Sequence, residues 1–340
     1  MPLFGKLVAG LVLIFVQAAV YAHHSRANFD LNQEIALEGE VVEVGWTNPH
    51  FYLGLKDGDG RLWTLEGHSI PGLVRYGWRK DTLKVGGRVR VVANPDLDSS
   101  LHFALLSHVT REDGKTFYSF RPTEDVRAAM AERTVQPSKD FTGTWRLIRS
   151  LRDNLVGVFE PPDWPFTDAG AAQVSTFNRN EDPLLNCEPR GLPGMLTWPY
   201  AQHWRNVGQG LAVTIEHSVE QRLIYNSADE AQRGQDAMGV SVLLARGAKE
   251  MVIQTGGFSA KTWGLGRGVN SSAKKTITET YRLADDGISM SLVLEISDPV
   301  MLRRPIVLEH QFEKIPDFQF AAEPPCDTAT ARRHLQFEAQ

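Results

Sequence analysis

From Ile35 to Val109 apolar and polar residues alternate in short runs broken by turn residues, the period-two signature of half-buried strands. Leu37–Trp46 and Phe51–Leu55 carry this pattern up to a tight turn at Lys56-Asp57-Gly58-Asp59-Gly60, and Arg61–Glu66 resumes it, so a β-hairpin is predicted. Ile70–Tyr76 suits one short helix, with Ser69 as its cap and Pro71 in its first turn. Val85-Gly86-Gly87 turns into a strand at Arg88–Ala93, and Leu101–Val109 ends the set. Five strands with a helix between the third and fourth follow the order of an OB-type Greek-key barrel; a generic β-sandwich is the alternative.

Residues 121–140 interrupt the alternation with Arg121-Pro122, a charged and potentially helical Glu124–Arg133, and Gln136-Pro137-Ser138. A domain boundary is expected there. Asp140–Trp145 then opens a second unit with a Gly-x-Trp strand start, and residues 157–200, rich in Pro, Gly and Asn, read as a long ordered excursion. Strands follow at Leu211–His217, Gln221–Tyr225, Ser241–Leu244, Glu250–Thr255, Thr276–Leu283, Ser289–Ile296 and Ile306–Lys314. Their short connections predict consecutive antiparallel pairing in an up-and-down barrel or strongly curved sheet.

The N-terminus changes where this fold is expected to work. Lys6, the apolar run Leu7–Val16 and Val20-Tyr21-Ala22 have the three-part layout of a cleaved secretory signal, so export to the periplasm is expected, with His23 as the new terminus. The apolar run is too short to cross a bilayer as a helix, no later stretch is long and uncharged enough, and an uncleaved anchor is the rival reading. The expected organisation is a signal peptide at 1–22, an OB-like barrel at 23–120, a linker at 121–139, a larger antiparallel barrel at 140–326 and a C-terminal tail at 327–340. A net charge of −5, with no basic stripe, argues against nucleic-acid binding. The two cysteines, Cys187 and Cys326, both fall in the exported part, where a disulfide is expected. A metal-binding or catalytic thiolate is the alternative, although neither cysteine sits in a Cys-x-x-Cys pair or beside a histidine.

Two sets of residues could carry chemistry. Cleavage before His23 would leave an α-amine and an imidazole on one residue, a bidentate nitrogen pair suited to Cu(II), with further ligands from His24, His50 or His68. Pro49 would aim His50 outward, and His68 ends the neighbouring strand, so both are expected near one barrel rim. A solvated, frayed terminus is the alternative. In the second barrel, Glu216, Glu279, Tyr281, Arg304 and His310 are candidate lining groups for a small apolar ligand. Gly264-Leu265-Gly266-Arg267-Gly268 lacks the Lys-Ser/Thr ending of a phosphate loop and is expected as a hairpin loop. Asp236, Asp285, Asp286 and Asp298 sit at turns, where backbone capping explains them.

Over residues 20–110 the motifs Ala22–Ser25, Gly39–Val41, Trp46–His50, Gly77-Trp78 and Val85–Gly87 resemble those of a widespread, uncharacterised family of small exported bacterial proteins. Gly87 stands where an Asp is usual. The resemblance implies an exported OB-like domain without an assigned activity. Residues 140–326 resemble a second uncharacterised exported family through Cys187–Pro193, Ile253–Phe258, Glu279–Arg282, Asp298-Pro299, Arg303–Pro305 and Cys326. Ser271-Ser272-Ala273 replaces the His-Ser-Glu frequent in that family, so any role of that His and Glu does not transfer. Gly143-Thr144-Trp145 is also similar to the lipocalin strand start, which implies a barrel able to hold an apolar molecule. Together these features predict an all-β binding or accessory protein. The rivals are an enzyme using the barrel as a reaction chamber for hydration, isomerisation or cyclisation, a redox copper protein, and an interaction module of an outer-membrane system.

Overall fold

A computed structural model describes residues 29–48, 50–120, 135–148, 163–188, 191–197, 201–216, 221–229, 231, 237–317, 320 and 325–333. The expected signal peptide, His23, His24 and most of the linker lie outside the described residues. The first unit contains β1 (Ile35–Gly45), β2 (Tyr52–Asp57), β3 (Leu62–Glu66), α1 (Ile70–Arg75), β4 (Arg88–Pro95), β5 (Phe103–Arg111) and a short β6 (Thr116–Tyr118). The strands pair in the order β3-β2-β1-β4-β5-β6, and a parallel β3–β5 ladder closes the first five into a barrel. This is the OB-type closure expected from the sequence.

Alternation explains the barrel's inside. Val41, Leu53, Leu55, Leu65, Val91, Leu106 and Val109 point inward and are buried, as apolar residues on one face of a strand must be. The β2–β3 hairpin is set by Asp57, whose carboxylate accepts from the Asp59 and Arg61 amides, the Arg61 Nε and the Trp63 indole. Gly39 is required on β1, because a Cβ there would lie 2.2 Å from the Lys56 carbonyl oxygen. The helix forms where expected, but the Ser69 hydroxyl does not cap it. That hydroxyl lies 2.9 Å from His68 Nδ1, and only the Ser69 carbonyl joins the helix, accepting from the Leu73 amide.

The second unit is a closed barrel of nine strands: β7 (Gly143–Leu147), β8 (Ala201–Val207), β9 (Gly210–Ile215), β10 (Arg222–Tyr225), β11 (Val240–Arg246), β12 (Glu250–Gly256), β15 (Thr276–Leu283), β16 (Ser289–Ser297) and β17 (Ile306–Ile315), with β17 returning to β7. A two-stranded hairpin, β13 (Lys261–Gly266) and β14 (Val269–Ser271), is inserted between β12 and β15, and its turn is the glycine-rich stretch. One pairing departs from the expected antiparallel meander. β10 and β11 run parallel, with Ile224 opposite Ser241, because the connection from Tyr225 to Val240 returns the chain to the end of the barrel it had just left. The glycine-rich stretch is the hairpin loop expected from the sequence, whereas β8 and the two short strands flanking that loop were not foreseen.

One end of the nine-strand barrel is lidded. The loops at that end contribute Leu192, Leu196, Phe258, Leu265, Val269 and Leu302 to the same core as the inward faces of the strands. A helix, α2 (Asp168–Ser175), belongs to this lid; Thr167 caps it, and Gln173 accepts from the Asn270 amide of β14. Phe166 also forms a bridge with Leu302.

The segment expected as a C-terminal tail is instead packed, in part, between the two barrels. Cys326 is disulfide-bonded to Cys187 and forms a bridge with Asn48 of the first barrel. Asp327 caps the short α3 (Thr328–Ala331), after which Arg332 donates to the Leu185 carbonyl at 3.3 Å and Arg333 to Glu43 at 2.6 Å. Among the described residues, no helix is long and apolar enough to cross a membrane.

Candidate functional site

The second barrel holds a charged network that its strand parity creates. Arg222 and Ile224 share one face of β10, as do Ile277, Glu279 and Tyr281 on β15, and that face is buried in both strands. Arg222 reaches Glu279 with both terminal nitrogens, Nη1 to Oε2 at 2.9 Å and Nη2 to Oε1. Its Nε donates to Ser241 Oγ at 3.1 Å, and Nη2 also meets Ser241 and Thr255. Tyr281 donates its hydroxyl to Glu279 Oε2 at 2.9 Å. Burial alone would lower the Arg222 pKa, but the facing Glu279 carboxylate outweighs it and holds the guanidinium above its usual range. Burial, helped by the Glu279 charge, pushes the Tyr281 phenol well up, so it stays a donor. The network is neutral overall and internally satisfied.

Beside it lie polar groups that are not satisfied. Gln202 (Nε2 and Oε1), Trp204 (Nε1) and His310 (Nδ1 and Nε2) are buried and have no hydrogen-bond partner among the described residues. Gln202 is fully buried and His310 is 8% exposed. Burial lowers the His310 pKa, which favours the neutral imidazole. Buried polar atoms left in this state normally meet water or a ligand.

The ladder register places these groups at one depth. Trp204 on β8 and Tyr281 on β15 stand on nearly opposite walls of the barrel, yet their ring centroids are 5.1 Å apart, so the rings meet near its axis. Gln202 and Glu279 follow two residues further toward the lidded end on the same faces. Arg222 continues the Trp204 row through Val213, and His310 continues the Tyr281 row through Leu292. Rows climb in a tilted barrel, and the Trp204–Tyr281 contact fixes the climb toward the lid. Two strand steps climb about 6 Å, close to the about 5 Å gained by two residues along a strand. Gln202, Arg222, Glu279 and His310 therefore form one polar tier, with Ser241 and Thr255, above an aromatic floor.

The sequence-nominated residues separate on this structure. Glu279 and Tyr281 hydrogen-bond inside the barrel, and His310 faces the same interior from β17. Glu216 is buried just beyond β9, where it accepts from the Ala201 amide and from Arg75 of the first barrel at 3.0 Å; it joins the units and does not line the interior. Arg304 is exposed in the β16–β17 connection. Asp298 caps the same connection, accepting from the Ser272 and Val300 amides. His50 and His68 do reach one rim of the first barrel, since the Phe51 amide donates to the His68 carbonyl. His50 Nδ1 lies 3.4 Å from the buried Glu66 carboxylate, and Tyr52 donates to the other Glu66 oxygen at 3.2 Å. The His68 ring packs over Phe120 and against Gly72. Among the described residues, no group of three or more His, Cys, Asp or Glu gathers as a metal site.

Among the described residues, Gln202, Trp204, Arg222, Ser241, Thr255 and Lys275 are buried and escaped the sequence reading. Parity with Ile224 was a usable signal for Arg222. Gln202 and Trp204 lie on a strand that the Pro-rich context concealed. Lys275, under the lid, donates to the Leu192 and Gly264 carbonyls at 2.6 and 2.9 Å and lies over the Phe258 ring. Burial, with some help from Lys261 and against Asp298, pushes its pKa down to about 7.

No curated protein matches the chain. Residues 11–103 match the model of DUF6152, a family of unknown function. That stretch covers the first barrel as far as the start of β5, leaving the nine-strand barrel outside the match.

Proposed function

We propose that the chain is an exported, periplasmic binding protein whose nine-strand barrel receives one small, largely apolar molecule. The observation that carries this reading is the set of unpartnered polar atoms on Gln202, Trp204 and His310 inside a closed barrel. A folded protein tolerates few such atoms, because each costs on the order of 1–3 kcal/mol when left without a partner. A barrel of this strand number is wide enough to hold one small ligand. The apolar residues on the lid side of the tier, Ile277, Leu294 and Ile296, suit a hydrocarbon body. The outward face of β15 is polar, with Thr276, Thr278, Thr280 and Arg282, so the binding surface is the inner one. Native mass spectrometry of the full chain taken from an exporting host tests the reading. A non-covalent small-molecule adduct is expected, and it should be lost when Gln202→Leu and His310→Leu are combined. A bare chain whose tier a diffraction map fills with water would overturn it.

A further inference from the structure

The donor and acceptor inventory of the polar tier narrows the ligand further. Arg222 uses its guanidinium on Glu279, Ser241 and Thr255, while both Glu279 oxygens are taken by Arg222 and one also by Tyr281. No unpaired charge therefore faces the barrel from this network. A carboxylate or phosphate entering the tier would meet the Glu279 charge and would have to break the Arg222 pair to gain a cation. An ammonium would meet Arg222 in the same way. Breaking a buried pair from one side is costly, so the network rejects both signs of charge.

What remains open is mostly donor. The Gln202 amide offers two N–H groups, the Trp204 indole one, and a neutral His310 one, against two acceptors, the Gln202 oxygen and one His310 nitrogen. Gln202 and Trp204 lie two residues apart on one face of β8, and His310 is on β17, separated from β8 only by β7. All three side chains face the interior, Gln202 and His310 within the tier and the Trp204 indole at its floor, beside the satisfied charge pair. A carbon wall flanks the tier on its lid side.

We infer that the barrel selects an uncharged molecule with a carbonyl oxygen (a ketone, ester or amide), which Gln202, Trp204 and His310 hold while its hydrocarbon part lies on the apolar wall. This deepens the binding reading above and rests on it. The recognition logic is a donor-rich patch for an acceptor, with charged competitors excluded by a pre-paired Arg–Glu.

The test uses the full chain and four probes of one chain length: 2-decanone, decanoate, decylamine and decane. Affinities are measured by calorimetry in mildly alkaline buffer, together with the infrared carbonyl band of bound 2-decanone. The ketone is expected to bind about tenfold or more tighter than each of the other three. Its carbonyl band should shift to lower frequency on binding, as hydrogen bonding requires. Gln202→Met should bring the ketone's affinity toward that of decane and move the band back. Trp204→Phe keeps the ring and removes only the N–H, and it should do the same in part; near-ultraviolet dichroism checks that both variants stay folded. Tighter binding of decanoate or decylamine would overturn the ligand class while leaving the chamber in place. Equal binding of all four, unchanged by Gln202→Met, would overturn recognition by the tier. If none of the four binds, the chamber reading fails and the inference fails with it.

Discussion

The two barrels of this chain solve the same closure problem with opposite interiors. The five-strand barrel is filled by Val41, Leu53, Leu55, Leu65, Val91 and Leu106, and its buried carboxylate, Glu66, lies near the rim beside Tyr52 and His50. The nine-strand barrel places Arg222, Glu279, Gln202 and His310 on inward faces. Width accounts for the contrast. A small barrel is filled by single apolar side chains meeting at the axis, whereas a wider one needs long side chains, water or a guest to fill it. Trp204 and Tyr281 achieve that contact at one depth by using two large rings, and next to them the filling becomes polar. The buried Glu66 carboxylate of the first barrel therefore sits at its rim, whereas the buried charges of the second lie within.

The sharpest way to break this comparison is to damage the interior charge pair. Glu279→Ala leaves Arg222 buried without its partner, and a loss of about 3–5 kcal/mol is expected from denaturant unfolding. Glu279→Leu combined with Arg222→Met removes both charges and should recover most of that loss, since an apolar replacement of a buried pair is often neutral. Recovery of stability without recovery of ligand selectivity would place the pair in recognition. If Glu279→Ala were no more harmful than Val91→Ala in the first barrel, the interiors would not differ energetically in the way described.

The next effect concerns what holds the barrels to each other. Cys187 and Cys326 are 139 residues apart in sequence, and the disulfide ties the lid to the segment that carries α3 and Arg333 onto the first barrel. Cys187→Ser with Cys326→Ser should cost about 2–4 kcal/mol, the usual range for removal of a long-loop disulfide. Limited proteolysis of that variant should cut within residues 321–333 sooner than in the parent. Unchanged stability and unchanged cleavage would mean that the inter-barrel contacts hold without the clasp.

Much of this architecture was legible in the chain, and the exceptions share a physical cause. Strands with clean parity, such as Thr276–Leu283 with Ile277, Glu279, Tyr281 and Leu283 on one side, declared both their type and their inward face. β8 did not, because Ala201–Val207 follows a Pro-rich stretch and carries Gln202 inward, where a pattern reader expects an apolar residue. The parallel β10–β11 pairing was hidden because local alternation is identical in parallel and antiparallel strands. Glu216 was a candidate lining group within the expected strand Leu211–His217, yet β9 ends at Ile215, whose inward side chain turns the next residue off the interior, and Arg75 from far away in sequence captures it. Lys275 gave no sequence signal at all, since burial of a lysine before a strand depends on a lid folded over it.

The lid supplies a pH-dependent difference between the barrels. Lys275 has a folded-state pKa of about 7 against an ordinary 10.5, so between these values the unfolded chain holds a proton that the folded chain lacks. Stability therefore rises with pH from about 7 toward 10 and is lowest, for this group, below 7. His310 adds an acidic limb of the same sign, because its lowered pKa means that the unfolded chain takes up a proton first as pH falls through 6.5. Unfolding followed across this range should show a change of about 3–5 kcal/mol, and Lys275→Met should flatten its alkaline half. A slope that persists in Lys275→Met would assign the alkaline limb elsewhere.

The smallest expected effect is at the ion pair between the units. Arg75 closes the helix at one end of the first barrel, and its Nη1 lies 3.0 Å from Glu216 Oε2, whose carboxylate also accepts from the Ala201 amide. The pair is asymmetric: Arg75 is 37% exposed at its side chain while Glu216 is 3% exposed. Solvent at the arginine screens the attraction, which places the coupling near 1 kcal/mol and below that of Arg222–Glu279. Loss of the buried partner is more costly than loss of the exposed one, because Glu216→Leu leaves the Ala201 amide without its acceptor, whereas Arg75→Ala leaves a carboxylate that still holds that amide. A double-mutant cycle on Arg75→Ala and Glu216→Gln isolates the coupling, since glutamine keeps an oxygen for the amide and removes only the charge. The cycle should return about 0.5–1 kcal/mol, falling further in high salt as a half-exposed pair must. A coupling as large as that of the buried pair would show that water does not reach Arg75, and that the barrels meet there as one continuous interior.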